Sequence, residues 1–147
     1  MASGKAHALT SLVAAVPCGI AVGWLTADIG AGVAATVGCA SGAVLSPDAD
    51  IAGLTEGETW VIHKLPVIGW LWAGYWWVYG KLLPHRGISH WPIAGTATRL
   101  LYLAIPLLIL AWRFQLSFWP LPPLAWAWAA GLAWSDTLHW VLDRCPL

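Results

Sequence analysis

Charge is what this sequence has least of. Only 10% of its 147 residues are Asp, Glu, Lys or Arg, against about 25% in an average soluble domain. Seven basic and seven acidic residues cancel, so there is no basic surface of the kind that attracts nucleic acid. Several catalytic signatures are missing as well. There is no GxSxG, HExxH, CxxC or GxxxxGK[ST], which removes common serine-hydrolase, zincin, thiol-redox and P-loop arrangements. Cysteine is limited to Cys18, Cys39 and Cys145. Their spacing suits neither a metal knuckle nor a disulfide framework, so they are expected to be small packing residues.

What is present is mostly apolar. Hydrophobic residues make up 59% of the chain and the mean hydropathy is +0.69. This places the chain in the membrane class. The expected architecture is an all-α, integral membrane four-helix bundle in one domain, residues 1–147. The spans are expected at about 8–27, 29–45, 91–112 and 124–142, each near the roughly 20 residues that cross a bilayer. The first resembles a signal peptide in having Lys5 before an apolar run. Its length and the Pro17 before Cys18 argue that it is retained as a span. Gly19-Ile-Ala-Val-Gly23 and Gly38-Cys-Ala-Ser-Gly42 are GxxxG elements, which let helix backbones approach closely. Together they predict a tight hairpin of the first two spans.

Residues 65–80 read LPVIGWLWAGYWWVYG, with a proline, three glycines and six Trp or Tyr. Sixteen residues reach only about 24 Å, short of the roughly 30 Å hydrocarbon core, and Trp and Tyr favour the interface. An additional Trp-rich interfacial or re-entrant helix is therefore expected over about 65–82. The alternative is a fifth span.

The four-span reading makes a prediction about the polar residues. With the N-terminus on one side of the membrane, successive crossings bring His7, Asp48, Asp50, His85, His90, Asp136, His139 and Asp143 to that same side. These are four of the five histidines and four of the five aspartates; random placement would divide them. Lys5, Lys64, Lys81, Arg86 and Arg144 share this side and Arg113 lies on the other. The positive-inside rule then makes it cytoplasmic, with both termini inside. A bacterial inner (cytoplasmic) membrane protein is the expected setting.

His/Asp clusters of this composition hold divalent ions. Asp136, His139 and Asp143 are spaced i, i+3, i+7 and share one helical stripe. Asp48 and Asp50 alternate in SPDAD, and His85 and His90 flank a turn at Gly87. Asp136 lies inside an apolar span, where an unpaired carboxylate is expensive; Arg99, inside the third span, either pairs with it or snorkels to the membrane surface. Eight candidate ligands exceed what one tetrahedral Zn²⁺ uses. One or two ions of Zn²⁺, Mn²⁺ or Mg²⁺ are expected, and a two-ion site activates water and clamps an oxyanion. Asp50 is the expected catalytic carboxylate. Arg86 and Ser89 are candidate substrate contacts, with headgroup anchoring and helix capping as their plainer roles. His63 has no motif around it and reads as a packing residue.

The elements SGKAH, SPDAD, HRGISH and DTLHWVLD occur in this order from Ser3 to Asp143. Together they resemble a bacterial family of uncharacterised metal-binding membrane proteins. That family is similar to the YdjM-like membrane-bound predicted metal-dependent hydrolases, which share PDxD and HRGxTHS elements. The resemblance implies metal roles for His7, Asp48, Asp50, His85, His90, His139 and Asp143. The chain departs from the hydrolase-like element at Ile88-Ser89-His90-Trp91, where the hydroxyl no longer follows the second histidine. The expected activity is hydrolysis of a phosphoester or lipid-linked substrate at the bilayer surface. The alternative is metal binding without catalysis, as a sensor, storage or assembly module.

Overall fold

A computed structural model describes residues 3–50, 53–83, 87–117 and 121–144, the side chain of Asp50 excepted. The described residues form six α-helices and two 3₁₀ turns joined by short connections, and no strand occurs among them. The helices are α1 (Gly4–Thr26), α2 (Ile29–Ser41), α3 (Glu56–Lys64), α4 (Pro66–Leu82), α5 (Pro92–Phe114) and α6 (Pro123–Arg144). The 3₁₀ turns are Pro47–Asp50 and Ile88–His90.

Local chemistry sets these boundaries. Ser3 caps α1 by accepting the Ala6 N–H. The helix stops where Ala27 turns left-handed, at φ 52°. Asp28 then starts α2 by accepting the N–H groups of Gly30 and Ala31, as N-cap carboxylates do. Thr55 and Glu58 form a reciprocal capping box that begins α3. Prolines 66, 92 and 123 open the last three helices, where their missing N–H costs nothing. Pro106 lies inside α5, which continues through it.

Glycine seams hold α2 between α1 and α6. A Cβ on Gly19 would lie 1.8 Å from Thr36 Oγ1 and 2.7 Å from the Gly32 carbonyl, so α1 and α2 touch through their backbones. The second GxxxG does different work from the one expected of it. A Cβ on Gly38 would lie 1.9 Å from the Trp128 carbonyl, and one on Gly42 would lie 2.0 Å from Ser135 Oγ. This seam faces α6, not α1. Gly32 is the α2 residue that meets Gly19 and Gly23.

A second packing unit centres on aromatic residues. Trp76 and Tyr79 of α4 are buried with Leu45, Ala49 and Leu132. Tyr75 and Tyr102 each donate a hydroxyl proton to the other's carbonyl, which latches α4 to α5.

Among the described residues, two helices, α1 and α5, are long and apolar enough to cross a membrane. The expected second span is shorter than predicted. Its helix has 13 residues, about 20 Å, and the chain unwinds into turns after Ser41. α6 has 22 residues, but its C-terminal half carries Asp136, His139, Asp143 and Arg144. Residues 46–64, between the expected second span and the Trp-rich helix, contain a further helix, α3. Its sequence signal is Thr55-x-x-Glu58, the spacing of a capping box.

Candidate metal site

Five side chains from four parts of the chain meet at one end of the helices. His7 lies on the second turn of α1, Asp48 in the first 3₁₀ turn and His90 at the end of the second. His139 and Asp143 are one turn apart on α6. His7, His139 and Asp143 form one group of donor atoms within 4.8 Å of one another, and Asp48, His90 and His139 form another. His139 belongs to both.

The contacts converge on the Nε2 atoms of the three rings. Asp48 Oδ1 is 3.3 Å from His90 Nε2 and 3.5 Å from His139 Nε2. Asp143 presents Oδ1 to His7 Nε2 at 3.2 Å and Oδ2 to His139 Nε2 at 3.5 Å. The rings of His7 and His139 stack, with centroids 3.7 Å apart and planes inclined by 15°. His139 Nε2 is buried and makes no hydrogen bond among the described residues, although two carboxylate oxygens lie 3.5 Å away.

Burial and charge suit a cation here. The three imidazoles are 5–8% exposed and the two carboxylates 20%. Burial opposes ionisation of Asp48, but the facing rings of His139 and His90 outweigh it and hold the carboxyl well below the usual carboxylate range. An orphaned buried nitrogen, two more imidazoles and two ionisable carboxylates form a donor set that fits a borderline divalent ion. A cavity of about 20 Å³ touches Asp48 beside Ser46, Thr55 and Gly57, room for about one water.

The His90 turn is seated by residues of α5. A Cβ on Gly95 would lie 2.0 Å from the Ser89 carbonyl, so only glycine lets that carbonyl pack there. Arg99, one turn on, donates from Nη1 to the same oxygen at 3.4 Å. Ser89 Oγ lies 3.5 Å from His90 Nδ1. Such contacts behind a ligand fix its ring orientation.

Several expected site residues have other surroundings. Asp136 does not join either group. Its Oδ2 accepts from both Arg99 Nη2 and Thr96 Oγ1, and its Oδ1 has no partner among the described residues. Asp136 keeps its place on the stripe but faces α5, one turn below His139, so the charge that balances it is a guanidinium. Ser89 is fully buried and turned towards His90, so it supports the ring where a substrate contact was expected. It does not cap α5, whose start at Trp91 has no side-chain cap. His63 is exposed on α3, so the packing role expected of it is not seen. The expected ligand His85 and the expected substrate contact Arg86 lie outside the described residues, as does the side chain of Asp50. Thr96 and Gly95 were not expected at the site. The one sequence signal for them is their place one turn before Arg99 on the same helix face.

An all-helical chain with buried His/Asp groups able to hold a metal belongs in the metal-binding class. The chain is a member of the family described as uncharacterized metal-binding protein (DUF2227), whose model matches residues 2–146. No curated protein and no solved structure matches it.

Proposed function

We propose that this chain is an integral membrane, metal-dependent hydrolase, akin to the YdjM-like proteins, whose divalent ion site opens at the cytoplasmic face of the bilayer. The observation that carries the reading is the meeting of His7, Asp48, His90, His139 and Asp143 around a buried nitrogen that lacks a hydrogen bond among the described residues. Zn²⁺ suits the imidazole-rich set best, with Mn²⁺ or Mg²⁺ as alternatives. A membrane setting is supported by the exterior of the helices. Leu9, Val13, Val16, Ile20 and Trp24 on α1 are all at least 60% exposed, more apolar surface than water tolerates on one face. His7, Asp48, His90, His139 and Asp143 meet at one end of the helices, an arrangement that supports the four-crossing reading.

A bound divalent ion supplies Lewis-acid polarisation of a substrate oxygen and activates water near neutral pH. The chain's own residues do the rest. Asp48 stays ionised and faces the water-sized cavity beside Ser46. Ser89 and Arg99 hold the His90 turn. We assign water orientation to Asp50, and recognition of a phosphate oxygen of a phosphoester or lipid-linked substrate to Arg86, whose guanidinium suits bidentate contact.

The test is elemental analysis of protein purified in mild detergent, with His90→Ala and Asp48→Ala beside wild type, followed by phosphoester and lipid substrates. Bound metal in wild type, its loss in both variants and hydrolysis only in the loaded wild type are expected. Protein that stays metal-free after loading with Zn²⁺ or Mn²⁺ would refute the proposal. One observation favours metal binding without catalysis: the three imidazoles are almost wholly buried, and closed sites are usually structural. That reading predicts full metal loading with no turnover of any ester.

A further inference from the structure

We infer that the cluster is built for two divalent ions, with Asp143 as the carboxylate between them. The inference rests on the metal-binding part of the reading above and not on hydrolysis. A metal bonds an imidazole nitrogen in the plane of the ring, at about 2.0–2.1 Å for Zn²⁺. The rings of His7 and His139 are stacked, 3.7 Å apart at their centroids and inclined by only 15°. Both present Nε2 to the same carboxylate, so both nitrogens look the same way. Planes so nearly parallel do not converge within a bond length of about 2 Å. One ion therefore cannot lie in both planes as the rings stand.

The nitrogens aim instead at two points separated by about the ring spacing. That spacing falls within the roughly 3.5–4 Å that separates the metals of two-ion sites. The carboxylate of Asp143 is divided to match, with Oδ1 at His7 and Oδ2 at His139. The positions are unequal. The one at His139 also has Asp48 Oδ1 and His90 Nε2 within reach. The one at His7 has only His7 and Asp143 among the described residues. It binds more weakly and keeps more coordination positions open. The His139 ion is thus the anchor and the His7 ion the exchangeable partner, the one placed to meet a ligand.

The experiment is equilibrium dialysis of the detergent-solubilised full chain against buffered free Mn²⁺, read by elemental analysis and electron paramagnetic resonance. Wild type should bind in a tight and a weaker step to about two equivalents, with the spin-coupled spectrum of a close pair. His7→Ala, checked for helicity and monodispersity, should keep the tight step and lose the weaker one, and its spectrum should be that of isolated Mn²⁺. Wild type that saturates at about one equivalent, with an isolated-ion spectrum, overturns the two-ion inference while leaving the metal reading intact. Wild type that binds no Mn²⁺ and no Zn²⁺ overturns both. The wild-type titration decides the matter alone if His7→Ala does not fold.

Discussion

Replacing Arg99 with Leu should be among the most damaging single changes in this protein. Arg99 is 0% exposed and its partner Asp136 2%. The guanidinium is shared between the Asp136 carboxylate on α6 and the Ser89 carbonyl before α5. Leucine would leave the carboxylate buried with only the Thr96 hydroxyl. Removing one member of a buried pair costs about 3–5 kcal/mol, because the other charge is stranded. In a chain of this size that lowers the melting temperature on the order of 10 °C. The double variant Arg99→Leu/Asp136→Leu removes the stranded charge and should recover most of the loss, giving strong non-additivity. Metal affinity should not recover with it, because the Arg99 contact that helps hold the Ser89 carbonyl beside His90 is still absent. The assay is thermal melting in detergent with chelator present, followed by metal titration of the variants. A melting temperature for Arg99→Leu equal to that of wild type would refute the pairing argument. Full recovery of both stability and affinity in the double variant would refute the link to His90.

Two further outcomes follow from the same contacts. Gly38→Ala should destabilise by about 1–3 kcal/mol, since its Cβ would meet the Trp128 backbone at 1.9 Å, whereas Gly74→Ala, with nothing within 4 Å, should stabilise α4 by up to about 1 kcal/mol; paired thermal melts check both. Metal binding should weaken as pH falls and protons compete for the imidazole nitrogens, and the low pKa of Asp48 means that its carboxylate does not set this edge. In metal-free protein the sign is that of a depressed acid: Asp48 stabilises the fold above its ordinary value of about 4 and loses that contribution only as pH falls further, which chelator-treated melts across acid pH would show.

The legible part of this site was the part written in topology. Polar residues in an apolar chain are few, and the expectation that they gather at one end agrees with the meeting of His7, Asp48, His90, His139 and Asp143. Asp136 shows where that reasoning stops. Its spacing from His139 puts it on the right stripe, but a stripe is about a third of a helix surface. Whether a side chain on it meets a metal or an arginine depends on the rotation of α5, which no periodicity encodes. The two GxxxG elements have the same limit: each announces a close neighbour without saying which helix it is. The length of α2 was misjudged because Ala, Gly and Val continue to Leu45 after the hydrogen bonding has changed to turns at Ser41. α3 was readable from its capping box, Thr55-x-x-Glu58, but its nine residues are too few and too polar to register as a span.

The glycine seams also explain how a site made from separate helices acquires one depth. Ser11 and Ser135 share a buried hydrogen bond of 2.7 Å. Ser11 follows His7 by four residues and Ser135 precedes His139 by four, so this bond lies one turn beneath the stacked rings on antiparallel helices. It sets the register that lets His7 and His139 stack. The bond exists because Gly42 leaves room for Ser135: a Cβ there would lie 2.0 Å from Ser135 Oγ and 2.7 Å from its Cβ. Gly42→Ala should therefore push Ser135 aside, slide α6 against α1 and lower metal affinity by about 10–100-fold, the usual effect of disturbing a ligand's support. Ser135→Ala, which deletes the hydroxyl without adding bulk, should cost only about 1 kcal/mol of stability and less affinity. Metal titration of both variants beside wild type is the check. If Gly42→Ala bound metal as wild type does, the seam would be packing alone, and the alignment of His7 with His139 would have to come from the ligands themselves.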